Sequence, residues 1–136
     1  MWYDPVFKVD TLAGEEVWRR RHYSVRTKAD SPGKFFFSVL DNGVMSNEYW
    51  RVLDVADDLS WGVLYYSGAA SAAGTSYRGA LLVTKDGLWP QTGADEAARI
   101  EEAFNAGGIK MWELFPVPNE DCGERCNAGP PPLGVK

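Results

Sequence analysis

The chain has 136 residues, 24% charged and 45% hydrophobic, with 14 basic against 19 acidic side chains and a net charge of −5. That length suits one domain and excludes both a disulfide mini-scaffold and two ordinary cores. The acidic balance lacks the broad positive field that draws nucleic acid, so no nucleic-acid partner is expected.

No run of residues approaches the roughly 18 consecutive apolar positions of a membrane-spanning helix. The opening Met1-Trp2-Tyr3-Asp4-Pro5 has the pattern of neither a signal peptide nor a transit peptide. Six tryptophans, six tyrosines and six phenylalanines are many for this length, and any reading has to place them.

Strand signals recur every dozen or so residues. Val6 to Val9 follows Pro5, which suits an edge or a strand start. A turn at Leu12, Ala13 and Gly14 leads into Val17–Arg26, which holds Arg19, Arg20, Arg21 and His22. Alternation splits those arginines, with Arg26 and Lys28, between two faces, so they read as solvated charges and His22 as a strand-surface histidine. A loop at Asp30-Ser31-Pro32-Gly33 precedes Lys34–Leu40, with the run Phe35-Phe36-Phe37. Asp41-Asn42-Gly43 is a hairpin signal. Glu48–Val55 follows, then a turn at Asp57 and Asp58, then Ser60–Tyr66. Gly68–Ser76, made of small residues, reads as a flexible loop before a sixth strand, Ser76–Thr84.

One helix is expected over about residues 95–106. Thr92-Gly93-Ala94-Asp95 resembles a capping box, Ala97, Ile100, Ala103 and Phe104 form an apolar stripe, and Gly107 stands where a C′ glycine belongs. Residues 1–118 read as the body and 119–136 as a Cys/Pro/Gly-rich tail. Cys122 and Cys126, in Cys-Gly-Glu-Arg-Cys, are too few ligands for zinc, and no metal is expected. They read as a local disulfide, or as one cysteine tying the tail back to the body; either implies an oxidising compartment.

Six antiparallel strands and a helix imply a mainly β protein: an up-and-down sheet or barrel with the helix packed outside. Six strands close poorly around a cavity, whereas eight hold one small ligand. Strands missing upstream are therefore an expectation of this pattern.

The stretch from Ser46-Asn47-Glu48-Tyr49-Trp50 through Leu64-Tyr65-Tyr66-Ser67-Gly68, then Tyr77-Arg78-Gly79-Ala80-Leu81-Leu82-Val83-Thr84, resembles the violaxanthin de-epoxidase family. The likeness is greatest to its de-epoxidase-related branch and runs from about Trp2 to Cys122. It implies an antiparallel lipocalin-like barrel of which this chain supplies about six of eight strands, with the C-terminal helix outside. It also implies that Cys122 bridges to the barrel, with Cys126 an addition to the pattern.

The family reduces a xanthophyll epoxide to an alkene with ascorbate, losing the oxygen as water. Opening an epoxide needs a proton on its oxygen as the C–O bond breaks, a task for a carboxylic acid kept protonated by apolar surroundings. The resemblance places that acid at Glu48, where the family carries aspartate, and its tyrosine partner at Tyr66. A glutamate has the same chemistry on a stem one methylene longer, and Glu48 also fits a solvated strand carboxylate. If Val55 pairs with Leu59, Glu48 falls opposite Tyr66, and Glu48, Trp50, Val52 and Asp54 share a ligand-binding face with Leu64 and Tyr66. If Val55 pairs with Ser60, Glu48 and Tyr66 point to opposite faces.

The resemblance further implies ascorbate as co-substrate, no metal, and a carotenoid (xanthophyll) or lipid partner. The implied location is the chloroplast, in the thylakoid lumen or at the thylakoid membrane surface. The other reading is a non-catalytic lipocalin-type pigment- or lipid-binding protein, or a structural subunit of a photosynthetic protein complex.

Overall fold

The computed structural model describes residues 1–41, 43–70 and 74–119. Nine strands appear among the described residues: β1 (Trp2–Tyr3), β2 (Val6–Asp10), β3 (Glu16–Arg20), β4 (Tyr23–Ser24), β5 (Arg26–Thr27), β6 (Lys34–Asp41), β7 (Val44–Val55), β8 (Trp61–Ala70) and β9 (Thr75–Thr84). One α-helix, α1 (Ala94–Ala106), and a 3₁₀ turn at Met111–Glu113 follow. The protein is mainly β, with antiparallel pairing throughout. Strands β5 to β9 form a five-stranded meander in chain order, and β1–β4 and β2–β3 are separate pairs. The described strands form no closed barrel, and β5 and β9 are the sheet's edges.

The expected Val17–Arg26 strand is divided into three because the chain changes partner twice. After β3 pairs with β2, the Arg21 N–H donates to the Pro5 carbonyl at 3.0 Å, and β4 turns to β1. The Val25 N–H then donates to the Met1 carbonyl at 2.9 Å before β5 joins β6. His22 consequently sits between strands, stacked on Trp2 and bonded through Nδ1 to the Asp4 carboxylate, rather than on a strand surface.

The β6–β7 hairpin forms where expected, with Gly43 at φ +80°, a conformation that suits a residue without Cβ. Strands β8 and β9 run further than the composition suggests. Gly68, Ala69 and Ala70 belong to β8, and Thr75 already belongs to β9, so the small-residue stretch is largely paired strand.

Packing of the helix defines the core. Ile100, Ala103 and Phe104 of α1 are buried against Trp61, Val63 and Ala56, with Leu53, Ala80 and Leu82 beside them. Full burial of a phenylalanine such as Phe104 contributes about 1.5–3 kcal/mol. Ala97 is exposed, and half-buried Glu96 takes the inward position, accepting a hydrogen bond from Trp61 Nε1 at 2.8 Å.

The expected capping box is not used, because the N-cap is Gly93 and Thr92 lies outside the helix. At the other end Gly107 is the last, right-handed cap residue, and Gly108, at φ +75°, is the C′ glycine. The Ile109 N–H donates to the Phe104 carbonyl and the Gly108 N–H to the Asn105 carbonyl, closing a Schellman motif.

Candidate functional site

The face of the main sheet away from α1 carries the candidate residues. Side chains of directly paired residues share a face, so the register reads as rows across the sheet. One row is Phe37–Glu48–Gly68–Tyr77, and the next is Phe35–Trp50–Tyr66–Gly79. Val52 pairs with Leu64 in the row after these. Glu48, Trp50, Val52, Leu64 and Tyr66 therefore share one face, as expected. The register that brings them together is neither of the two anticipated, since Glu48 pairs with Gly68 and Tyr66 lies opposite Trp50.

Asp54 is the exception. A bulge between Val52 and Asp54 makes Asp54 pair with Val63, a core residue on the helix side. One extra residue moves every later side chain to the other face. Asp54 therefore leaves the candidate face and takes Arg99 of α1 in a two-pronged ion pair, with Nε–Oδ2 at 2.6 Å and NH2–Oδ1 at 2.8 Å. The guanidinium's hydrogen bonds hold the Asp54 carboxyl below the usual aspartate range. Trp61 also faces the helix, 5.4 Å from the Arg99 guanidinium, rather than the aromatic face.

On the candidate face Glu48 is half-buried, and both of its oxygens are engaged. Trp50 Nε1 donates to Oε2 at 2.7 Å, and the Tyr77 hydroxyl bonds Oε1. Tyr66 stacks on Trp50 at 5.5 Å between ring centroids, and no hydrogen bond joins it to Glu48. The carboxylate's tyrosine partner is thus Tyr77, on β9.

The glycines explain this exchange of partners. A Cβ at Gly68 would overlap the Tyr77 ring and hydroxyl, and one at Gly79 would overlap those of Tyr66. Each tyrosine lies over the glycine of the neighbouring strand, and the bare Gly68 lets Tyr77 cross β8 to reach Glu48 on β7. The sequence carries a signal for this in the repeated Tyr-x-Gly of Tyr66-Ser67-Gly68 and Tyr77-Arg78-Gly79, which antiparallel pairing brings crosswise.

The N-terminal residues cover the site. Tyr3 lies 5.5 Å from Phe37 and 5.6 Å from Trp50, and Tyr23, its partner in the β1–β4 pair, stacks on Phe37 at 5.7 Å. Burial, then the Tyr23 hydroxyl and the Glu48 carboxylate, push the Tyr3 phenol above its ordinary value. Burial and the bond to Glu48 push Tyr77 the same way. These rings, with Tyr66 6.5 Å from Tyr77, surround one carboxylate with aromatic surface and phenolic hydroxyls.

Such a site offers a hydrogen-bonded acid and stacking faces for a flat or elongated apolar ligand. No group of three or more potential metal-ligating side chains occurs among the described residues. Cys122 and Cys126 lie outside the described residues. No protein-family model, curated protein or solved structure matches the chain.

Proposed function

We propose that the aromatic face around Glu48 binds an elongated, oxygen-bearing polyene of the xanthophyll epoxide type, in a lipocalin-like setting, and delivers the proton that opens its epoxide. The single observation supporting this is a carboxylate bonded to a tyrosine hydroxyl within a field of six rings: Tyr3, Tyr23, Phe37, Trp50, Tyr66 and Tyr77.

An indole N–H can only donate, so Glu48 Oε2 is an acceptor and a proton on Glu48 rides on Oε1, against Tyr77. Tyr77 can pass its hydroxyl proton to an epoxide oxygen and recover one from Glu48, while Trp50 and Tyr66 stack on the polyene. Ascorbate supplies two electrons and two protons, so epoxide and ascorbate become alkene, dehydroascorbate and water. The location that accompanies this reading is the chloroplast, at the thylakoid membrane surface or in the lumen.

The test is turnover of violaxanthin with ascorbate in mildly acidic buffer. Glu48→Gln and Tyr77→Phe are each expected to lower kcat by about 100-fold or more, the ordinary worth of a positioned proton donor. Tyr66→Phe keeps the stacking ring and is expected to leave most of kcat. Absence of turnover by the unaltered protein, with pigment still bound, would leave the non-catalytic reading. That reading has its own support in the engagement of both Glu48 oxygens by protein donors.

A further inference from the structure

Strand β9 is ten residues long, and its only neighbour among the described residues is β8. Every second residue of an edge strand directs its N–H and C=O outward, and no hydrogen bond from the described residues reaches the outer edge of β9. Such groups are free to pair with another strand. Edges of this kind are usually blunted by lysine, proline or a bulge. Here the stretch Arg78-Gly79-Ala80-Leu81-Leu82-Val83-Thr84 has no proline and one charge.

Beside it lies a groove of about 920 Å³, with β9 on one side and the segment from Ile109 to Asn119 on the other. Asn119 fastens that segment by donating to the Gly87 carbonyl at 2.8 Å. Leu88, Trp89, Phe115 and Val117 line the groove and are all exposed.

We propose that this groove receives one extended peptide strand from another protein, which pairs with β9 and carries apolar side chains at alternate positions and an acidic one near Arg78. The main-chain edge sets the chemistry, because a lipid or polyene laid there would leave N–H and C=O groups without partners. The groove runs beside a single sheet edge, which has main-chain groups to pair with one added strand. Arg78 is exposed, lines the groove and has no ion pair among the described residues, so it is available to a carboxylate on the added strand. This is strand addition, in which main-chain bonds give affinity and alternate side chains give specificity.

The test uses the full 136-residue chain, isotopically labelled, and a capped seven-residue peptide of alternating valine and threonine with one glutamate. Saturating peptide is expected to slow exchange of the outward-facing amides in Arg78–Thr84 by about tenfold or more while leaving the β6–β7 amides unchanged. The same peptide methylated on alternate backbone nitrogens is expected not to bind. Arg78→Glu, an exposed substitution that leaves the fold intact, is expected to reverse the preference toward a lysine-bearing peptide. Three results would overturn the proposal: no slowing at millimolar peptide, equal binding of the methylated peptide, or outward-facing β9 amides already protected in the free protein. Protection of the free protein that rises with concentration, together with a dimeric mass, would assign the edge to a second copy instead.

Discussion

At Glu48 a single half-buried carboxylate accepts from two aromatic side chains, Trp50 through Nε1 and Tyr77 through its hydroxyl. Alternation alone puts Glu48 and Trp50 on one face, but the register between strands is needed to add Tyr66 to it and to see that Tyr66 stacks on Trp50 while Tyr77 reaches the carboxylate. The controlling position is Gly68, which has no functional group at all. Gly68→Ala displaces the end of a flexible, partly exposed side chain rather than backbone, so the fold is expected to survive at a cost of about 1 kcal/mol. The effect belongs instead to Tyr77, whose phenol titrates above its ordinary value of 10.0 while burial and Glu48 hold it. Because the folded state keeps that proton longer than the unfolded chain, the stability it contributes is present below about pH 10 and fades as pH rises further. Ultraviolet titration is expected to show one tyrosine returning toward the ordinary value in Gly68→Ala. The same high-titrating component should be missing in Tyr77→Phe. An unchanged titration in Gly68→Ala would mean that Tyr77 does not depend on the bare glycine to reach Glu48.

At the level of elements, the long strands and the helix follow from patterns that local chemistry imposes. The Phe35-Phe36-Phe37 run, the Asp-Asn-Gly turn and the Ile100, Ala103, Phe104 stripe each produced the element expected of them. What escaped was the choice of partner. Nothing in Val17–Arg26 says that its parts pair with three different strands, and the bulge near Leu53 leaves no mark in the alternation around it. That bulge is nonetheless what joins helix to sheet, because it turns Asp54 toward Arg99. The Asp54 carboxyl is depressed below 3.8, chiefly by the Arg99 hydrogen bonds. Its contribution to stability is therefore fully present above the unfolded value and lost as pH falls through the lower folded one. Asp54→Asn is expected to lower the urea midpoint by a few tenths molar at neutral pH, a small effect because the pair is partly solvated. The gap should close in strong acid, where the unaltered protein has also lost the charge. A gap that stays constant across the acid range would assign the loss to packing instead of charge.

Taken whole, the molecule puts its two faces to different uses. The helix side is sealed by the packing of α1 on Trp61 and Val63, whereas the aromatic side is covered by a pair of two-residue strands, β1 and β4. A two-stranded pair is marginal in water without further packing, and what packing it has comes from Tyr3 and Tyr23 lying on Phe37 and Trp50. Opening of this cover should therefore cost far less than unfolding the five-stranded sheet, with amides of β4 exchanging through local opening and those of β7 and β8 only near global unfolding. Tyr3→Ala removes the ring that spans Phe37 and Trp50 and is half out of solvent already, so it is expected to cost about 1–2 kcal/mol. Exchange in Tyr23–Ser24 should accelerate while β7 and β8 change only by that shared loss. Under the proposed pigment-binding role, a ligand reaching Glu48 has to displace the same cover, so Tyr3→Ala is also expected to speed its association more than its dissociation. If β6 to β9 instead lost protection in step with β4, the cover would be an integral part of the sheet's cooperative unit, and the Glu48 face would open only when the domain unfolds.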